Sequence, residues 1–151
     1  MTTATRPIHF GASLPQISRT WEETRRAAET FERLGYDSLW LNDHLYGVPR
    51  PDISILECWT TLTAVGAITE RVQLGTVVSP PGFRNPALMA KVVATLDQIT
   101  QGRVILGMGA GWFEQEYRGY GFDFPPAKVR LQQLAEHAST VRDRTPRRLA
   151  C

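Results

Sequence analysis

One adjacent acid–histidine pair, Asp43-His44, is the first candidate for proton chemistry in this sequence of 151 residues. An imidazole titrates near neutral pH, so a histidine at an active site can move a proton or hydrogen-bond a reacting group. The same pair would also suit a solvated loop or a helix cap, and the residue types alone leave both interpretations open. Which of them holds depends on where the fold places the pair.

A glycine-rich run, Gly107 to Gly111, is followed directly by Trp112. It is not the dinucleotide-binding fingerprint, because its third glycine comes one residue early. The glycines indicate a close approach of the backbone, either to a neighbouring strand or to a flat ligand ring. Glu114 and Glu116 come next, and because they are two residues apart they do not share a helix face. We expect both carboxylates to lie in a solvated loop.

Other kinds of site receive no support from the sequence. The two cysteines, Cys58 and Cys151, are far apart, which fits neither a disulfide framework nor a zinc site. A net charge of +2 is too small to indicate nucleic-acid binding. No window approaches the roughly 20 apolar residues that a membrane span needs, and no signal-peptide segment begins the chain. We therefore expect no metal, no nucleic-acid partner and no membrane partner, but a small-molecule substrate in the cytoplasm.

The elements that would position these groups alternate between strands and helices. Strands are predicted over 8–14, 36–42, 72–78 and 104–109, and a spacing of about 30 residues is typical of right-handed βαβ units. Helices are predicted from the Thr20–Glu23 capping box to Gly35, over 56–69, from the Asn85-Pro86 start to Gly102, and over 128–141, with one helical turn at 113–117. This α/β pattern allows either a doubly wound sheet or a barrel.

In both architectures the functional side chains lie at the carboxyl ends of the strands. Those ends are predicted at Ser13-Leu14, Asn42-Asp43-His44, Val78-Ser79 and Ala110-Gly111-Trp112. Polar or very small residues stand at each of them. The sequence therefore predicts that His44, Ser79 and the glycine-rich run meet at one edge of a parallel sheet.

Four segments, in this order and spacing, resemble the bacterial luciferase-like monooxygenase superfamily and especially its coenzyme F-420 (deazaflavin)-dependent oxidoreductases. They are Tyr36–His44, Arg71–Thr76, Arg84–Ala87 and Gly102–Trp112, within a region from Ile8 to Leu134. The resemblance implies a (β/α)8 TIM barrel about twice as long as this chain, of which the chain would supply four parallel βα units. It also implies that FMN or the deazaflavin binds at the mouth formed by the carboxyl ends of the strands.

The resemblance further implies roles for individual residues. A backbone bulge, often with a cis non-prolyl peptide, is expected at Val77-Val78-Ser79, where it would support the cofactor ring. His44 matches an active-site residue and is the candidate catalytic group. The implied cofactor contacts are Asp43, Val78, Ser79, Ala110, Gly111 and Gln115. Trp112 replaces the carboxylate that serves as proton donor in the sugar-phosphate dehydrogenase branch, which argues against that substrate.

We accordingly expect a flexible N-terminus over 1–7, a luciferase-like half-barrel over 8–141, and a basic, disordered tail over 142–151 that resembles a truncated terminus. The implied function is an oxidoreductase that transfers hydride between a flavin or deazaflavin ring and an unknown small organic substrate, with oxygen incorporation as an option. The alternative is a truncated, non-catalytic half-barrel that lacks the cofactor phosphate site. Because four strands leave two open sheet edges, we expect a homo-oligomer.

Overall fold

The structure, a computed structural model, describes residues 8–144 and contains one parallel four-stranded sheet. Its strands lie side by side in chain order: β1 (Gly11–Ser13), β2 (Ser38–Leu41), β3 (Gln73–Thr76) and β4 (Val104–Ile105). A doubly wound sheet would reverse its strand order at a switch point, whereas a barrel continues in one direction. The strand order therefore favours the barrel: the four strands are arranged like consecutive strands of a (β/α)8 barrel.

Helices lie between consecutive strands and after the last strand. They are α1 (Trp21–Arg33), α2 (Cys58–Ile68), α3 (Pro86–Thr100), α4 (Glu114–Gly119) and α5 (Ala127–Arg144), with a short 3-10 helix at Pro81–Phe83. The single helical turn predicted at 113–117 is the six-residue helix α4 in the structure. Helix α5 also continues three residues into the predicted tail, whose remaining positions, 145–151, lie outside the described residues, as does the predicted N-terminal segment 1–7.

The predicted starts of α1 and α3 are confirmed in atomic detail. The Thr20 hydroxyl accepts from the amide of Glu23, and the Glu23 carboxylate accepts from the amide of Thr20 at 2.9 Å. The Asn85 side chain accepts from the amide of Ala87 at 2.9 Å. These caps satisfy amides that have no partner inside their helix. Short-range sequence signals therefore fix where α1 and α3 begin.

The core lies between the sheet and its helices. Leu39, Leu41 and Leu74 point to the same face and are buried against α1, α2 and α3. On the opposite face the indole of Trp40 covers Gly75 so closely that a Cβ on this glycine would overlap the ring. The third strand is buried from Leu74 to Thr76, whereas Val77 and Val78 are 50% and 42% exposed. These two valines lie beyond the regular strand, at its carboxyl end.

Arg103 joins the elements at the amino ends of the strands. Its guanidinium donates to the carbonyl oxygens of Gly66 and Thr69 at the end of α2, to that of Val72 before β3, and to that of Thr100 at the end of α3. Carbonyls at helix ends have no partner inside the helix, so these bonds satisfy acceptors that the fold leaves open. None of the helices described over 8–144 is both long and apolar enough to cross a membrane.

Replacing Arg103 with Leu should lower the free energy of unfolding by about 2–4 kcal/mol, because it leaves several carbonyl oxygens without a donor. Urea denaturation followed by circular dichroism measures the change. Arg26→Leu is the control, since Arg26 makes only an exposed pair with Glu22 and should change stability by less than about 0.5 kcal/mol. Equal losses in both variants would show that the hydrogen bonds of Arg103 do not stabilise the fold.

Candidate functional site

A cavity of about 190 Å³ opens at the carboxyl ends of the strands. It is lined by Asn42, Asp43 and His44 after β2, by Val77, Val78 and Pro80 after β3, and by Gly111, Trp112 and Glu116 after β4. The parallel sheet has therefore brought the acid–histidine pair, the predicted bulge and the end of the glycine-rich run to one place. The predicted convergence at this edge of the sheet is observed.

His44 is held by a residue that we expected to be solvated. The Nδ1 atom of His44 lies 2.9 and 3.0 Å from the two carboxylate oxygens of Glu116. The side chain of Glu116 is only 2% exposed, and that of His44 is 18% exposed. The expectation that Glu116 lies in a solvated loop is wrong, because α4 turns its side chain inward. Glu114, in contrast, is exposed and pairs with Arg118.

Two aromatic rings fix the orientation of the imidazole. The ring centroids of Trp112 and Phe113 lie 5.9 and 6.3 Å from that of His44, both edge to face. The amide of Leu45 donates to Glu116 Oε2 at 2.9 Å, which also anchors the carboxylate to the segment that carries His44. Within residues 8–144 the Nε2 atom of His44 makes no hydrogen bond. The imidazole is therefore held through Nδ1, and its Nε2 atom remains available to a ligand in the cavity.

Asp43 does not pair with the histidine beside it. Its carboxylate accepts from both terminal nitrogens of Arg84, at 2.7 and 3.1 Å, and from the indole nitrogen of Trp59 at 3.1 Å. The side chain is 1% exposed and forms part of the cavity lining. The adjacent acid–histidine pair thus divides in the structure: His44 takes Glu116 as its partner, and Asp43 takes Arg84.

Arg84 also forms an ion pair with Glu57 at the start of helix α2. It donates to Glu57 Oε1 at 2.6 Å, and Glu57 also caps α2 by accepting from the amide of Thr60 at 2.7 Å. Burial alone would raise the pKa of Glu57, but the Thr60 hydrogen bonds and the charge of Arg84 outweigh it, and the pKa lies below its ordinary value. Burial likewise raises the pKa of the Cys58 thiol well above its usual range, and the carboxylates of Asp43 and Glu57 add to the shift. Cys58 is therefore not an activated nucleophile.

The segment after β3 has the expected backbone feature, a cis peptide between Val77 and Val78. Val78 lines the cavity, whereas Ser79 is buried and its hydroxyl accepts from Trp59 at 3.2 Å. The amide of Ser79 donates to the carbonyl of Gly107 at 2.8 Å, which joins this segment to the glycine-rich run. Val78 therefore lies at the cavity surface, whereas Ser79 is buried and contacts Trp59.

The glycine-rich run packs against protein atoms. A Cβ on Gly107 would overlap the carbonyl oxygen of Thr76, and one on Gly109 would overlap the side chain of Val78. Of the two interpretations, close approach to a neighbouring strand therefore explains both glycines. Of the predicted cofactor contacts here, Gly111 lines the cavity, whereas Ala110 and Gln115 are not among the lining residues, and Gln115 is exposed on α4.

Sequence reasoning missed Glu116, Arg84, Glu57 and Trp59. One available signal pointed to Glu116. The predicted helical turn at 113–117 places it on the same face as Phe113, an aromatic residue of a type that is usually buried. No comparable local signal marks Arg84, which lies 41 residues from Asp43. Within residues 8–144, no group of three or more His, Cys, Asp or Glu residues could hold a metal ion.

Comparison with known proteins gives consistent matches. The profile of the luciferase-like monooxygenase family matches residues 4–146. An F420-dependent glucose-6-phosphate dehydrogenase of Microbacterium testaceum is 38% identical over 138 residues, which cover 91% of this chain and 41% of that enzyme. A phthiodiolone/phenolphthiodiolone dimycocerosates ketoreductase of a Mycobacterium species is 35% identical, and the matched region covers 35% of that enzyme. The chain thus spans well under half the length of these relatives.

Solved structures agree with this fold. An F420-dependent secondary alcohol dehydrogenase in complex with an F420–acetone adduct superposes with a TM-score of 0.77 at 29% identity, over 89% of this chain and 40% of that one. The oxygenating constituent of 3,6-diketocamphane monooxygenase from Pseudomonas putida, in complex with FMN, gives a TM-score of 0.70 at 20% identity over 88% of this chain and 38% of that one. At that identity the second likeness concerns the fold alone.

Arg84→Met should lower the free energy of unfolding by about 3–5 kcal/mol, because it leaves the buried carboxylate of Asp43 without its cationic partner. Asp43→Asn in the same chain should recover part of the loss by removing that charge. The control is Arg50→Met, which breaks an exposed pair with Asp52 and should cost less than about 1 kcal/mol. Urea denaturation of all variants compares them, and a double variant no more stable than Arg84→Met would contradict the charge argument.

Proposed function

Because the chain belongs to the luciferase-like monooxygenase family, we propose that it forms the ring-binding part of a flavin- or deazaflavin-dependent oxidoreductase. The observation that carries this proposal is the cavity at the carboxyl ends of β2, β3 and β4, where His44 is held by the buried carboxylate of Glu116. In barrels of this type the carboxyl ends of the strands carry the chemistry. The reaction proposed is hydride transfer between the cofactor ring and a small organic substrate.

The residues at the cavity suit a flat conjugated ring. Val77 and Val78 offer an exposed apolar surface, and Asn42 and His44 lie beside it with groups that can hydrogen-bond a polar ring edge. Coenzyme F-420 or FMN, when bound, would supply the hydride donor or acceptor, with oxygen chemistry open to FMN. The residues that line the cavity over 8–144 include no Lys or Arg, so they suit the ring and not the cofactor phosphate.

The predicted cofactor residues would act in two ways. Val78 and Gly111 line the cavity and would contact the ring directly. Asp43 also lines the cavity, and it shares the indole N–H of Trp59 with Ser79, so these two residues would hold the strand ends that shape the site. Ala110 and Gln115 would contribute at the rim, from either side of Trp112. All of these assignments form part of the proposal.

His44 is proposed as the catalytic residue through its Nε2 atom. If the substrate is an alcohol, its hydroxyl would give a proton to Nε2 while hydride leaves the same carbon. If the substrate is a carbonyl compound, Nε2 would return the proton to the oxygen as hydride arrives. Glu116 and the rings of Trp112 and Phe113 would keep the imidazole in place during both steps.

The wider setting proposed for the chain follows from its architecture and composition. β1 and β4 stand at the edges of the four-stranded sheet, and edge strands favour pairing with another chain, which supports a homo-oligomer. Cys58 is a free, buried thiol, as is usual in a reducing compartment, and this supports a cytoplasmic location. The substrate proposed is a small molecule.

Titration with the purified chain should change the fluorescence of coenzyme F-420 or FMN saturably, with a discrete species in light scattering. Val78→Glu should weaken binding at least about tenfold, because it adds a charge to the apolar surface offered to the ring. Val129→Glu is the matched control, since Val129 is 40% exposed on α5, close to the 42% of Val78. A soluble aggregate that binds neither ring would instead favour the non-catalytic half-barrel.

His44→Ala should lower the turnover of the cofactor-loaded protein by roughly 10²–10⁴-fold, the usual contribution of a general acid–base group. Cofactor affinity should change far less, because the ring surface provided by Val77 and Val78 stays intact. His9→Ala, at an exposed histidine paired with Asp37, is the control and should leave both quantities unchanged. Turnover and affinity that fall by the same factor would mean that His44 is structural.

A further inference from the structure

We propose that Glu116 is a positioning residue, which fixes the neutral imidazole of His44 as the tautomer with hydrogen on Nδ1 and so presents a bare Nε2 to the cavity. The catalytic role of this tautomer rests on the proposed function. The tautomer itself follows from the contacts of the two side chains. It concerns this chain's own residues and can be tested without any cofactor.

The contact geometry makes Glu116 an acceptor. Both of its oxygens lie within 3.0 Å of His44 Nδ1, and Oε2 also accepts from the amide of Leu45 at 2.9 Å. An ionised carboxylate has acceptors only, so the nitrogen that it contacts must carry the hydrogen. A neutral imidazole has one N–H and one lone pair, and the lone pair is then on Nε2.

The position of the carboxylate is itself strongly constrained. Glu116 lies on α4 between Phe113 and Tyr117, both buried, and its own side chain is 2% exposed. Leaving this site for solvent would remove the acceptor from the Leu45 amide as well as from His44. A buried carboxylate held by the donors of His44 and Leu45 is therefore a fixed reference for the imidazole ring.

The other carboxylates nearby cannot take this role. The oxygens of Asp43, the residue next to His44, accept from Arg84 and from Trp59. Glu114, two residues before Glu116, is exposed and pairs with Arg118. Glu57 is occupied by Arg84 and by the amides at the start of α2. Glu116 is thus the carboxylate that the described part of the chain assigns to His44.

The test reads the ring nitrogens of His44 by NMR in the full chain labelled with 15N-histidine, with His44→Gln used for assignment. In the neutral ring we expect a protonated-type Nδ1 and an unprotonated-type Nε2. In Glu116→Gln this pattern should be lost, because an amide can donate as well as accept and so no longer requires hydrogen on Nδ1. Glu114→Gln, on the same helix, is the matched control and should keep the wild-type pattern.

Two results would overturn the inference: a wild-type ring with an unprotonated Nδ1, or a folded Glu116→Gln variant with an unchanged pattern. If Glu116→Gln fails to fold, the wild-type spectrum and Glu116→Asp decide, since Asp keeps an acceptor-only group and should retain the Nδ1 hydrogen. In cofactor-loaded protein, Glu116→Gln should lower kcat more than it raises KM. Because the nitrogen spectra need no cofactor, failure of ring binding would count against the proposed function and leave the tautomer result standing.

Discussion

A carboxylate that is taken out of water needs a partner, because the desolvation of an unpaired charge costs several kcal/mol. Asp43 and Glu116 are both buried in this way, and both line the cavity. Each takes a different partner, Arg84 for Asp43 and His44 for Glu116. The two carboxylates therefore act differently at this edge of the sheet. Asp43 supports the fold through Arg84, and Glu116 orients the imidazole of His44.

The pairing of Asp43 also explains why separate elements meet with fixed geometry. Arg84 lies in the connection from β3 to α3, and its guanidinium binds Asp43 and Glu57 at the two ends of the connection from β2 to α2, so it joins two connections. The carbonyl of Arg84 lies 3.3 Å from Nε2 of His137, which brings α5 to the same point. Arg103 does comparable work at the opposite ends of the strands, but with backbone carbonyls as partners. Two arginines thus hold the two ends of the sheet in different ways.

Most of the fold could be predicted from the sequence, because its signals are local. The Thr20 capping box and the Asn85 cap follow from a few neighbouring residues, and the βα spacing predicts a parallel sheet whose carboxyl ends converge. The partners within the site could not be predicted in this way. His44 and Glu116 are 72 residues apart, and adjacency in the chain favoured Asp43 instead. The sequence identified the place of the site correctly but not the partners of its charges.

The charges of the site bear on which part of a cofactor these residues would suit. The cavity combines an apolar valine surface with an imidazole, which suits the reacting end of a flat cofactor. A phosphate needs cations or helix amino ends, yet Arg84 is already held by two carboxylates, and Arg130 donates to the carbonyls of Gly111 and Pro125. The described residues therefore suit ring chemistry better than phosphate anchoring. Recognition of the ring and recognition of the phosphate would then rest on different residues.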